Sequence, residues 1–304
     1  MRPHNPVMLN EVLANLAVAD GKVFVDCTFG AGGYSTGILN SSNCKVLGVD
    51  QDPTTQKYAD NLIKAFGDRF VYINDNFRNL KNFLKHHGQV DGVVYDLGVS
   101  SMQLDEKERG FSFQGNSQLD MRMSLKGKSA YDLINETEES ELADIIYKYG
   151  EEHASRRIAS KIVEARKLEP ISTTFQFANI VRSVVRSKGK IDPSTKTFQA
   201  IRIAVNDELG ALEDSLAQLV DVLKIGGRAV VVSFHGLEDS IVKKFFNDNS
   251  EPKVARSKYS KEDLSGGKPF KLISKKSIKP TREEIISNPR ARSARLRVVE
   301  KVRG

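Results

Sequence analysis

The chain has 304 residues, 39% of them hydrophobic and 28% charged, and a net charge of +7. That length supports one or two domains around a sizeable core, and no apolar run approaches the roughly 18 residues that a membrane span needs. The two cysteines, Cys27 and Cys44, supply neither a disulfide framework nor a zinc site, and Met1-Arg2-Pro3-His4-Asn5-Pro6 lacks the apolar core of a signal peptide. Reduced thiols, no metal and a cytoplasmic location are therefore expected.

In chain order, short stretches rich in Val, Ile, Phe or Tyr at 22–25, 45–49, 70–73 and 92–95 read as buried strands. Each is followed by a carboxylate: Asp26, Asp50, Asp75 and Asp96. Helical patterns at 53–66 and 77–86 lie between them. Near-continuous apolar strands alternating with helices predict a parallel sheet covered on both faces. The alternation stops after Asp96. Residues 105–196 carry helical patterns, notably at 138–148 and 151–166, and no convincing strand. Phe198, Ile201, Val205, Leu209, Leu212, Leu216, Leu219 and Leu223 then recur at helical spacing, which predicts one long amphipathic helix stopped by Gly226-Gly227. A strand at 228–234, a helix at 237–246, a mobile loop at 250–268 and a final one-sided strand near 294–299 complete the pattern. The expected domains are a core, first part, over 1–104, an inserted helical substrate-recognition subdomain over 105–196, and the second part of the core with a basic C-terminal segment over 197–304.

The chemistry concentrates at the carboxyl ends of these strands, where open α/β sheets bind ligands. Asp26-Cys27-Thr28-Phe29-Gly30-Ala31-Gly32-Gly33-Tyr34-Ser35 forms a strand–glycine turn–helix corner. Asp26 would repel the pyrophosphate of a dinucleotide and attract the sulfonium and ammonium of S-adenosylmethionine. Gly32 and Gly33 let backbone approach a ligand closely. The dinucleotide spacing wants a third glycine where Ser35 stands. Asp50, 20 residues after Gly30, suits both hydroxyls of a ribose in either cofactor class. Phe77 reads equally as an adenine contact or as plain core. Asp96-Leu97-Gly98-Val99-Ser100-Ser101-Met102-Gln103 occupies the place where enzymes that methylate exocyclic amines hold the amino group. Acceptors there draw the nitrogen toward pyramidal geometry and aim its lone pair. Many such enzymes carry an Asp/Asn/Ser-Pro-Pro-aromatic motif at this point, and this chain does not.

Taken together, His4-Asn5-Pro6-Val7-Met8, the loop at 26–35, the stretch 96–105, Arg109-Gly110-Phe111-Ser112-Phe113, Leu119-Asp120-Met121-Arg122-Met123, Tyr149-Gly150-Glu151-Glu152, Thr197-Phe198-Gln199-Ala200-Ile201-Arg202, Ser233-Phe234-His235 and Asn288-Pro289-Arg290-Ala291-Arg292-Ser293 resemble the bacterial 16S ribosomal RNA (cytosine-N4)-methyltransferase family, RsmH or MraW. The peptides run the length of the chain in order. The resemblance implies a class I (Rossmann-like) S-adenosylmethionine-dependent methyltransferase sheet with an inserted all-helical subdomain. It implies methylation of N4 of a cytidine in the decoding (P-site) region. It also implies cofactor contacts from Gly32, Gly33, Tyr34, Asp50, Phe77, Asp96 and Gln103. The chain departs from the family pattern at Tyr34, where His is usual, and at Gly236 and Ser240, where Ser and Arg are usual.

In this reading Asp96 orients the amine, and the partner is 16S ribosomal RNA in the small subunit. Residues 251–304 hold 16 Lys and Arg against 6 Asp and Glu, and residues 153–190 hold 9 against 2, blocks that suit a polyanion. Arg290, Arg292, Arg295 and Arg297, with Arg156, Arg157, Arg182 and Arg186, are the expected phosphate contacts. Phe111 and Phe113 are base-stacking candidates or packing residues, and His235 faces the cleft or serves as a structural histidine. The rival classes are a nicotinamide-dependent Rossmann oxidoreductase and a non-catalytic RNA-binding or ribosome-assembly protein.

Overall fold

The computed structural model describes residues 6–113, 115–186, 189, 192–251 and 267–304. Two compact units emerge: Met1–Gly98 with Leu209–Gly304, and Val99–Glu208.

The first unit is built on seven strands: β1 Val23–Asp26, β2 Lys45–Val49, β3 Phe70–Ile73, β4 Val90–Asp96, β5 Leu223–Ser233, β6 Phe270–Leu272 and β7 Arg295–Lys301. Their order is β3-β2-β1-β4-β5-β7-β6. The first five run parallel, and β7 runs antiparallel to both β5 and β6. Side chains alternate between two cores. Phe24, Val46, Val94, Val230 and Val232 face one, beneath helices Leu9–Leu16, Gly33–Ser41 and Gln56–Phe66. Val25, Leu47, Val93, Tyr95 and Val231 face the other, beneath Glu208–Ala217 and Gly236–Asp248. Burial on both faces explains why these strands read as continuous apolar runs rather than alternating ones. By the same alternation Asp26, Asp50 and Asp96 fall on the first face, at the carboxyl end of the sheet.

The second unit is helical. Glu139–Gly150, Ser155–Arg166, Thr174–Val184 and Thr195–Asn206 enclose Leu142, Ile146, Ile158, Ile162, Phe177, Val181 and Phe198. Capping boxes start three of its helices, Ser100 with Gln103, Ser129 with Asp132 and Thr173 with Gln176, each satisfying two otherwise orphaned N–H groups. Its β structure among the described residues is one isolated bridge, Gln118 to Thr173.

Three expectations change. The long helix from 198 to 223 is three pieces, Thr195–Asn206, Glu208–Ala217 and Leu219–Val222. Asp207 breaks it in a left-handed conformation, φ +46°, which periodicity does not register. The first piece belongs to the helical unit, so the boundaries fall at 98/99 and 208/209 rather than at 104/105 and 196/197. Gly226 and Gly227 lie inside β5, not before it. A Cβ on Gly227 would stand 2.9 Å from the Lys224 carbonyl, so glycine admits an irregular strand start there rather than ending a helix. Most of the loop expected at 250–268 lies outside the described residues.

Candidate active site

Asp26 closes β1 and is fully buried. Its Oδ2 accepts from the Ser35 hydroxyl at 2.7 Å and the Ser35 N–H at 3.1 Å, and its Oδ1 from the Thr28 N–H at 3.3 Å. It thus ties the loop to the start of helix Gly33–Ser41. Burial pushes its pKa up to about 6, against those hydrogen bonds. Gly32 holds φ +80°, and a Cβ on it would stand 2.9 Å from the Phe29 ring. A Cβ on Gly33 would strike Pro6, so this glycine makes room for the N-terminal segment. Tyr34 is only 3% exposed, and its hydroxyl donates to the Val7 carbonyl at 2.6 Å. Its side chain is engaged inside the protein, which leaves its backbone as the part that a ligand can meet. Glu284 Oε1 clamps the same segment by accepting the Met8 N–H at 2.6 Å.

Asp50 follows β2. Its Oδ2 accepts the Gly30 N–H at 2.7 Å and its Oδ1 the Asp52 N–H at 2.9 Å. A carboxylate offers about four acceptor positions, so capacity for a diol remains. Burial raises its pKa to about 7. Beyond β3, Asp75 accepts from the Asn76 N–H and the Asn79 amide, and Asn76 donates to Gln51 at 2.9 Å. Phe77 packs edge-on against Tyr95, with centroids 5.8 Å apart and planes at 88°.

Asp96 closes β4. Its N–H donates to Thr28 Oγ1 at 2.6 Å, which fixes the strand end against the glycine loop. Its Oδ1 is buried and has no hydrogen-bond partner among the described residues. Burial, reinforced by the charges of Asp26 and Glu238, pushes its pKa up to about 8. A buried acceptor left open is costly, and a cationic or N–H-bearing ligand resolves the cost. Asp26, Asp50 and Asp96 therefore form an acidic rim that can receive positive charge and hydroxyl donors.

Gln103 lies in the helical unit. It is buried, and its side chain accepts the Ser100 N–H at 3.0 Å in a capping box. Phe111 and Phe113 belong to that unit's own core, Phe113 edge-on to Phe198 at 5.4 Å. Arg182 is held by Asp192, Arg156 by Asp144, and Arg157 donates to the Val184 carbonyl. In the sheet unit, Arg295 and Arg297 both bond Asp239, at 2.8 and 2.7 Å. Arg186, Arg290 and Arg292 are exposed.

The sequence reading missed Thr28, Ser35 and Glu238. Glu238, 2% exposed, accepts the Phe234 and His235 N–H groups at 2.8 and 3.3 Å. His235 Nε2 lies 3.0 Å from its Oε1, and His235 Nδ1 accepts the Glu238 N–H at 3.5 Å. Both ring nitrogens thus turn toward Glu238, which makes His235 a helix cap. The signal was the spacing of three from His235 to Glu238, a capping box with an unusual first member.

The strand order, with β7 reversed between β5 and β6, is that of a class I S-adenosylmethionine-dependent methyltransferase sheet. A dinucleotide-binding sheet has order 3-2-1-4-5-6 with no such insertion, so the oxidoreductase reading is set aside. The chain belongs to the MraW methylase family, whose profile matches residues 1–302. It is 55% identical over 302 residues to the ribosomal RNA small subunit methyltransferase H of Rickettsia felis, covering 98% of each chain. It is 50% identical over 307 residues to the protein of the same name from Orientia tsutsugamushi (strain Ikeda), again over 98% of each. A solved rRNA methylase from Streptococcus thermophilus aligns over 100% of this chain and 99% of its own, at 11% identity and a TM-score of 0.44. Among the described residues no helix is long and apolar enough to cross a membrane, and no cluster of His, Cys, Asp and Glu could hold a metal.

Proposed function

We propose that the protein transfers a methyl group from S-adenosylmethionine to N4 of one cytidine in the decoding region of 16S ribosomal RNA, in the small ribosomal subunit and in the cytoplasm. The observation that carries this reading is Asp96, a strand-end carboxylate with one buried oxygen that nothing among the described residues satisfies. Full-length similarity to proteins named as small-subunit rRNA methyltransferases supports the substrate class.

Asp50 receives the ribose, Phe77 flanks the adenine, and the backbone of Gly32, Gly33 and Tyr34 forms the floor. Asp26 holds that floor and adds negative potential. Asp96 accepts from the exocyclic amine and aims its lone pair. The cofactor supplies an electrophilic methyl on a sulfonium. With the cofactor bound, N4 would take the methyl group as S-adenosylhomocysteine leaves, and the acidic aminium would lose its proton to water. Alignment of nitrogen, carbon and sulfur provides most of the rate.

Methyl transfer to unmodified small subunits tests this reading. Asp96→Asn should lower the rate on the order of 100-fold. Equal rates for the variant and the parent would remove Asp96 from the reaction.

A further inference from the structure

Amine methylation needs the target base lifted from its stack and held flat, and proteins hold single-stranded bases on aromatic faces. The stretch 97–103 after β4 has no aromatic residue. Phe111 and Phe113 are committed to the helical core, and Phe77, beyond β3, packs edge-on to Tyr95 and is already assigned to the adenine.

Phe234 stands elsewhere. It follows β5 directly and continues the side-chain alternation of Val230 and Val232, which places it on the face that bears Asp26, Asp50 and Asp96. Asp96 pairs with Val232, and the Leu97 N–H donates to the Val232 carbonyl at 2.9 Å. The ends of β4 and β5 are therefore held in register. Gly98, at φ +91°, lies beside the ring. A Cβ there would stand 4.0 Å from Phe234 Cδ2 and 4.0 Å from Glu238 Oε1, with no nearer atom. Phe234 is half-buried, so part of its ring stays accessible beside the strand end that carries Asp96. Glu238 fixes the ring's backbone through the Phe234 N–H.

The geometry points to Phe234 as the platform on which the nucleobase stacks while Asp96 holds its amine. This assignment rests on the function proposed above.

The chain contains no tryptophan, so Phe234→Trp installs a single tryptophan, excited selectively over the tyrosines, at the platform. Its emission should be quenched by a synthetic decoding-region RNA in the presence of S-adenosylhomocysteine. Phe234→Leu keeps the apolar bulk and loses the aromatic face. It should lower kcat/KM for small subunits about 5- to 100-fold, with S-adenosylhomocysteine affinity and Tm unchanged, while Phe234→Trp retains most activity. Wild-type turnover in Phe234→Leu, a parallel loss of cofactor affinity, or unquenched tryptophan would overturn the assignment. If the parent enzyme itself transfers no methyl group, the proposed function fails, and quenching alone decides the fate of Phe234.

Discussion

At the scale of single residues, the proposed site is a set of carboxylates with different duties. Asp50 shares its oxygens between the loop N–H groups and the expected ribose. Asp50→Ala should weaken S-adenosylhomocysteine binding by about 1–3 kcal/mol, the range for charge-assisted hydrogen bonds, as read by calorimetry. Unchanged affinity would remove the ribose assignment. Tyr34 makes a contrasting case. Its hydroxyl serves the Val7 carbonyl inside the protein, so Tyr34→Phe should cost about 1–3 kcal/mol of stability in denaturant titration. Cofactor affinity should stay within about twofold, and a larger loss would show that the side chain reaches the ligand. The residue names in the loop were legible from sequence. What they do was less so: a glycine that accommodates Pro6 and a glycine that approaches a ligand look alike in one letter.

At the scale of elements, β1 to β4 lie within a residue or two of their sequence-based spans, because buried parallel strands advertise themselves as apolar runs ended by a carboxylate. The segment from 198 to 223 hid its break, since apolar spacing continues unchanged across Asp207. Charge was equally ambiguous, as lysines and arginines read as one basic block whether or not a carboxylate claims them. The structure separates them. Arg297 is mostly buried and gripped by Asp239, whereas Arg292 is exposed. Asp239→Ala should therefore destabilise the fold by about 3 kcal/mol, the cost of stranding a buried charge. Arg292→Ala should leave stability alone and reduce the salt slope of RNA binding by about one. If Arg297→Ala flattened the slope while Arg292→Ala did not, the RNA path would run along β7.

At the scale of the whole molecule, three desolvated acids, Asp26 buried and Asp50 and Asp96 half-buried, set a pH dependence. Asp26, Asp50 and Asp96 titrate near 6, 7 and 8 in the folded chain, against 3.8 for an ordinary aspartate. Between these limits the folded protein holds protons that the unfolded chain has lost, so stability falls as pH rises. That stabilising contribution is complete below about pH 4 and gone above about pH 8, whereas Asp239, Asp120 and Asp192 have lowered values and contribute only above the ordinary carboxylate range. The cofactor-free protein should thus lose thermal stability from pH 5 to pH 8. Affinity for the cationic cofactor should rise over the same interval as the rim ionises. A flat affinity profile would mean that the acids already carry full charge, or that they do not face the ligand.

The sheet, the acidic rim and the family profile converge on an enzyme that methylates small-subunit RNA, and the modified nucleoside is the most direct test of that claim. Unmodified small subunits, incubated with the protein and labelled S-adenosylmethionine and then digested, should yield N4-methylcytidine at one position of the decoding region. A methyl group on a ring carbon, on a ribose or on another base would contradict the role given to Asp96.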